Sequence, residues 1–148
     1  MKKYITHSEQ ETEKLGFELA KNLNNHSIIV LTGNLGTGKT RFMRGIAEYF
    51  GIGKEVSSPT FTIVNEYTPK SHENSVNKIF HFDVYRLKGP EDFEDSIGTD
   101  YFGSGLCIIE WGEMIEDLLP QEYTKITFSR SLENENIRNL KIEKINAK

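Results

Sequence analysis

The stretch "GNLGTGKT", residues 33–40, constrains this chain more than any other. It follows the β-branched run "SIIVLTG" and precedes a segment in which Phe42, Ile46 and Tyr49 recur at helical spacing until Gly51. A short apolar run of that kind reads as a buried central strand, and the periodic segment reads as a helix. The local order is therefore strand, glycine-rich turn, helix. Every fixed position of G-x-x-x-x-G-K-[ST] is filled, and that spacing has a mechanism. Gly33, Gly36 and Gly38 let the backbone curl around a phosphate with successive N–H groups turned inward. The helix that begins near Gly38 adds its positive end. Lys39 can reach the β- and γ-phosphates as a point charge, and the Thr40 hydroxyl can ligate Mg²⁺. A helix that merely starts in glycines is the plainer reading, and the strand before and helix after favour the cradle. The candidate nucleotide contacts are Gly33, Asn34, Leu35, Gly36, Thr37, Gly38, Lys39, Thr40 and Arg41.

A phosphate loop of this type works with an acid at the end of a neighbouring strand, which positions Mg²⁺ or its water. Glu110 closes the apolar run "LCII", and Asp83 lies on the polar side of "FHFDVYR". An acid that follows four buried apolar residues is costly unless partnered, which favours Glu110 as the metal-linked acid. Asp83 fits the same role or that of an exposed strand acid paired with Arg86 or a lysine. His81 alternates with Asp83 and reads as a satisfied, half-buried histidine. Trp111 either packs or, next to Glu110, reports nucleotide binding through its fluorescence. Cys107 lies inside the strand and reads as a small core residue.

The remaining elements build one domain over residues 1–148, a length that suits a single hydrophobic core. Ser8 and Glu11 have capping-box spacing, and Leu15, Leu19, Ala20 and Leu23 share one face, which predicts a helix over 8–24. "SPTFTIVNEY" and "KIFHFDVYRL" read as antiparallel neighbours across a polar, turn-rich connection. "GPEDFEDSIG" and "TDYFGS" supply short helical turns, "GLCIIEW" a second buried strand, and "GEMIEDLLP" a helix ended by Pro120. "YTKITFSR" and "IRNLKIEKI" form a closing hairpin. The expected fold is α/β, a single-domain P-loop NTPase with a mixed, mostly parallel sheet flanked by helices.

Charge and composition narrow the partners. The net charge is −4 and the basic residues are scattered, which argues against a surface that holds DNA or RNA by its phosphates. The one cysteine cannot form an internal disulfide, and no Cys/His spacing resembles a zinc site. The apolar runs are too short to cross a bilayer. "MKKYITHSEQ" has two lysines but no apolar core, unlike a signal peptide. A soluble cytoplasmic protein without membrane contact is the expectation.

The motif set as a whole resembles the TsaE family (also called YjeE), small ATPases of bacterial tRNA threonylcarbamoyladenosine synthesis. The matching stretches are "SEQETEKLG", "GNLGTGKT", "SPTFTIVNEY", "FHFDVYRL" and "YFGSGLCIIEW". They occur in the family's order and cover nearly the whole chain. The resemblance implies a P-loop ATPase that uses ATP and Mg²⁺ and acts with TsaD-type and TsaB-type proteins. Those partners would handle the tRNA, so the chain would support threonylcarbamoylation of adenosine 37 only indirectly. Carried over by position, Lys39 and Thr40 match the phosphate and Mg²⁺ contacts, Glu110 the second metal-linked acid, and Asp83 the functional aspartate of His-x-Asp-x-Tyr-Arg. Thr60 resembles a switch-type threonine near the γ-phosphate, though Ser-Pro-Thr also reads as a plain turn before a strand. Glu9 matches a segment that lies near the nucleotide in relatives. Asn34 and Thr37 stand where the family often shows aspartate and alanine, and the segment over 69–78 is long for the family.

Three other functions compete. A small P-loop metabolite kinase would carry a mobile lid with several arginines, and beyond Trp111 the chain has only Arg130 and Arg138. A GTPase would need Asn-Lys-x-Asp, and "NKIF" lacks the aspartate. In the third, nucleotide switches a protein-binding surface and hydrolysis is incidental. Arg41, Arg44, Arg86 and Arg138 are the candidates for an arginine that assists in cis.

Overall fold

Two strands buried on both faces set the architecture of the computed structural model, which describes residues 1–33, 38–56, 64–70, 76–84, 87, 90–96, 98–134 and 136–146. β2 (Ile28–Thr32) and β5 (Leu106–Glu110) are buried along their whole length and pair in parallel, with Ile29 opposite Ile108 and Leu31 opposite Glu110. Ile29, Leu31, Leu106 and Ile108 face one side, into a core with Phe42, Met43, Ile46 and Phe50. Ile28, Val30, Cys107 and Ile109 face the other, among Phe82, Phe93 and Ile115. Side chains alternate across a strand, so a strand buried at every position must lie between two layers.

The sheet grows outward from this pair. β4 (Ile79–Asp83) lies parallel to β5, and β6 (Glu122–Arg130) lies parallel to β2. β3 (Val64–Tyr67), β7 (Arg138–Asn146) and β1 (Lys2–Thr6) attach antiparallel at the flanks. Among the described residues the order is β1-β7-β6-β2-β5-β4-β3. β1, β2, β4, β5 and β6 run one way and β3 and β7 the other, so the sheet is mixed with one prevailing direction. Both expected antiparallel pairs are present.

One layer is α1 (Glu9–Ala20) with α2 (Lys39–Tyr49). The other is α3 (Pro90–Ser96) with 3₁₀ segments at Thr99–Tyr101 and Gly112–Leu118. α1 starts as its sequence predicts: the Ser8 hydroxyl accepts from the Glu11 amide at 3.1 Å, and Glu9 and Glu11 sit in the positive first turn. α1 and α2 cross with backbones nearly touching. A Cβ on Gly16 would stand 2.3 Å from the Phe42 carbonyl oxygen, and one on Gly45 would stand 1.9 Å from that of Glu13. This crossing brings the acidic start of α1 beside the first turn of α2.

Three features depart from the sequence reading. The first helix stops at Ala20, not at 24, because Lys21, Asn22 and Leu23 bond back three residues to Glu18, Leu19 and Ala20. That tightened turn still carries Leu23 into the core. The helix expected after Trp111 is present as a 3₁₀ helix, Gly112–Leu118, and not as one regular helix, since it is interrupted where Ile115 (φ −127°) is fully buried. β1 was not anticipated, since its two lysines and exposed edge obscure the alternation that ends in buried Thr6. Cys107 is a core residue as expected, and burial pushes its thiol up to about 12. Among the described residues no helix is long and apolar enough to cross a membrane.

Candidate functional site

The helix N-termini differ in what the sequence supplies to them. α1 has a hydroxyl cap and acids. α2 has Gly38, φ 105°, as its N-cap, with no side-chain cap and no acid in its first turn. Its first intrahelical bond runs from the Phe42 amide to the Gly38 carbonyl at 3.0 Å, so the preceding amides lie outside the helix's own ladder. Gly33 (φ 133°) and Gly38 both hold the left-handed backbone that a side chain would strain. An uncapped helix start entered through glycine fits an anion.

Lys39, the first residue of α2, is only 4% exposed. Its ammonium donates to the Gly33 carbonyl at 2.7 Å and lies 3.9 Å from the centroid of the Trp111 ring. A buried ammonium is costly unless it is held, and here a carbonyl and an aromatic face hold it. Trp111 is the one non-glycine residue with positive φ (66°) among the described residues. Its amide bonds the Leu31 carbonyl at 3.2 Å, while the Val84 amide bonds the Glu110 carbonyl at 3.2 Å. The end of β5 is thus tied to both neighbouring strands at the residue where the two candidate acids meet, since Asp83 is in register with Glu110.

Glu110 is 7% exposed and has the partner that its burial requires. Its Oε2 lies 2.8 Å from Nε2 of His81, itself 2% exposed. His81 is therefore fully buried, not half-buried, and its Nδ1 has no hydrogen-bond partner among the described residues.

Glu9, Gly38, Lys39, Thr40, Arg41, Asp83 and Glu110 all line one cleft of about 430 Å³. Glu9 and Arg41 also touch, with Nη1 3.3 Å from Oε2, and Arg41 Nε lies 3.6 Å from Glu13 Oε2. Gly33 joins through its bond to Lys39. Asn34, Leu35, Gly36 and Thr37 of the loop, Thr60, and Arg86 lie outside the described residues. The sequence reading gave Ser8, Thr12 and Asn136 no place in the site and Trp111 no firm role, although all four line the cleft. It named Arg44 and Arg138 only as possible arginines, and both are in the wall. The spacing of Ser8 and Thr12, four apart at a helix start, could have placed them together. No local signal announces Asn136 and Arg138, which the closing hairpin brings in from the far end of the chain.

The oxygens of Thr40, Asp83 and Glu110 suit a hard divalent cation. Among the described residues no group of three or more His, Cys, Asp or Glu side chains gathers to cage one. A cation here would take its remaining oxygens from phosphate and water, which is how Mg²⁺ is ordinarily held beside a nucleotide.

A family model described as "Threonylcarbamoyl adenosine biosynthesis protein TsaE" matches residues 6–140. The tRNA threonylcarbamoyladenosine biosynthesis protein TsaE of Bacillus subtilis (strain 168) is 39% identical over 135 residues, covering 90% of this chain and 80% of that protein. Its namesake from Treponema pallidum (strain Nichols) is 41% identical over 122 residues, covering 81% of this chain and 84% of the relative. The crystal structure of YdiB from Bacillus subtilis superposes with a TM-score of 0.72 at 29% identity, covering 99% of this chain and 86% of that one.

Proposed function

We propose that this chain, which belongs to the TsaE family of P-loop ATPases and shares its general role in threonylcarbamoyladenosine biosynthesis, binds and hydrolyses MgATP in the cleft at the start of α2. One observation supports this above the rest: Lys39, Thr40, Asp83 and Glu110, separate in sequence, line one cleft beside an uncapped helix start. In this reading Gly33 to Thr40 wrap the phosphates, and Lys39 shifts its bond from the Gly33 carbonyl to phosphate oxygen. Thr40 would hold Mg²⁺ directly and Glu110 would hold it or its water. When bound, Mg²⁺ neutralises charge on the phosphate oxygens. Asp83 and Glu110 orient the attacking water, and the partly buried wall strengthens each of these interactions. By its place in the family's Ser-Pro-Thr-Phe pattern Thr60 would serve the γ-phosphate, and Glu9 lines the same cleft as Lys39 and Thr40.

Glu110→Gln is expected to keep nucleotide affinity within a few-fold of wild type and to lower ATP turnover by about 100-fold or more. ATP titration and phosphate release measure the two quantities separately. Unchanged turnover would leave Asp83 as the working acid.

The chain acts, in this proposal, as a cytoplasmic subunit on a TsaB–TsaD-type pair, which itself handles the tRNA. Its net charge of −4 agrees with leaving RNA to the partners. A pull-down with TsaB-type and TsaD-type proteins, with and without ATP, tests this. ATP-dependent capture is the expected result, and phosphorylation of a small metabolite by the chain alone would replace the reading with a kinase.

A further inference from the structure

We propose that His81 is a positioning residue for hydrolysis: its Nε2–H grips one oxygen of Glu110 and fixes how the carboxylate meets the cleft. This rests on the role given to Glu110 above. His81 sits one pleat below Asp83 on the same face of β4, and it is in register with Ile108, one pleat below Glu110 on β5. That tier is otherwise apolar, with Ile29, Ile79, Leu106 and Ile108 in the same core. Packing alone would favour another apolar side chain there, because a buried imidazole carries a polar cost.

The geometry shows where that cost is offset. The His81 and Glu110 side chains are 3% and 9% exposed, and Nε2 and Oε2 are 2.8 Å apart. An ionised carboxylate only accepts, so Nε2 carries the proton. Nδ1 makes no hydrogen bond among the described residues. The ring thus commits its donor to Glu110 and gains no second bond among the described residues. Backbone ties fix where the Glu110 main chain lies, but they leave three side-chain torsions free. The bond from His81 restrains the last of them. Histidine–carboxylate contacts behind a working group commonly act in this way.

The test compares amides of different reach in the full-length chain. In His81→Gln the side-chain N–H falls near the place of Nε2, in His81→Asn it falls near Nδ1, and His81→Leu has none. The Asn and Leu variants are expected to lower kcat by about 10–100-fold, while Gln retains it to within about 5-fold. ATP affinity, read from the single tryptophan, Trp111, stays within about twofold in all three. In a Glu110→Gln background the same changes at His81 lower kcat no further. The proposal is overturned if Gln and Asn behave alike, if losses multiply with Glu110→Gln, or if ATP affinity falls as far as kcat. Should Leu fail to fold, the comparison of Gln with Asn decides. Full turnover by Glu110→Gln alone would instead remove the role assigned to Glu110.

Discussion

Lys39→Ala is expected to abolish measurable ATP binding while the fold survives. Each hydrogen bond to an ionised group contributes about 1.5–3 kcal/mol, and a lysine in this position serves both terminal phosphates. Two such bonds lost correspond to a fall in affinity of about 100-fold or more. The change also removes the donor to the Gly33 carbonyl and the cation over Trp111. Because the second loss alters Trp111 emission without any nucleotide, calorimetry or equilibrium dialysis should measure binding in this variant. Thermal melting separates lost contacts from lost structure, since alanine is a good helix former at the first position of α2. A cooperative transition close to that of the wild type is expected, with no upward shift on adding MgATP. Tight ATP binding by this variant would end the assignment of residues 33–40 as a phosphate cradle.

What the sequence reveals and what it conceals divide by range. Local patterns were legible. The capping residues Ser8 and Glu11, the helix start after Gly38, and the apolar runs of β2 and β5 each carry a short-range physical signature, and the structure places them accordingly. Alternation along "IFHFD" also put His81 and Asp83 on one face of β4, opposite Phe80 and Phe82. Long-range pairings left no such trace. His81 and Glu110 are 29 positions apart, and the burial of Glu110 demanded a partner without saying which. Arg138 reaches the cleft only because β7 folds back beside β6. Gly16 and Gly45 belong to no motif in the sequence, and their use emerges only where the helices cross.

That crossing carries the second large effect: Gly45→Ala should destabilise the protein by about 3 kcal/mol. On an isolated helix the change would stabilise, by roughly 0.5–1 kcal/mol, so the sign itself is diagnostic. The added methyl would stand 1.9 Å from the Glu13 carbonyl oxygen and 2.8 Å from its carbon. These are backbone atoms within α1, and they cannot rotate aside as a side-chain tip could. The whole helix must move, and α1 carries Glu9 and Glu13, which both pair with Arg41 in the cleft wall. Gly45→Ala is therefore expected to melt about 5–10 °C below wild type and to bind ATP several-fold more weakly. Gly103→Ala serves as the comparison, because it adds a methyl at φ 90° with nothing within 4 Å. It should cost only backbone strain, on the order of 1–2 kcal/mol, and leave ATP affinity untouched. If Gly45→Ala melted at or above the wild-type temperature, the two helices could not be in backbone contact at Gly45. The placement of α1 against the nucleotide cleft would fall with that contact.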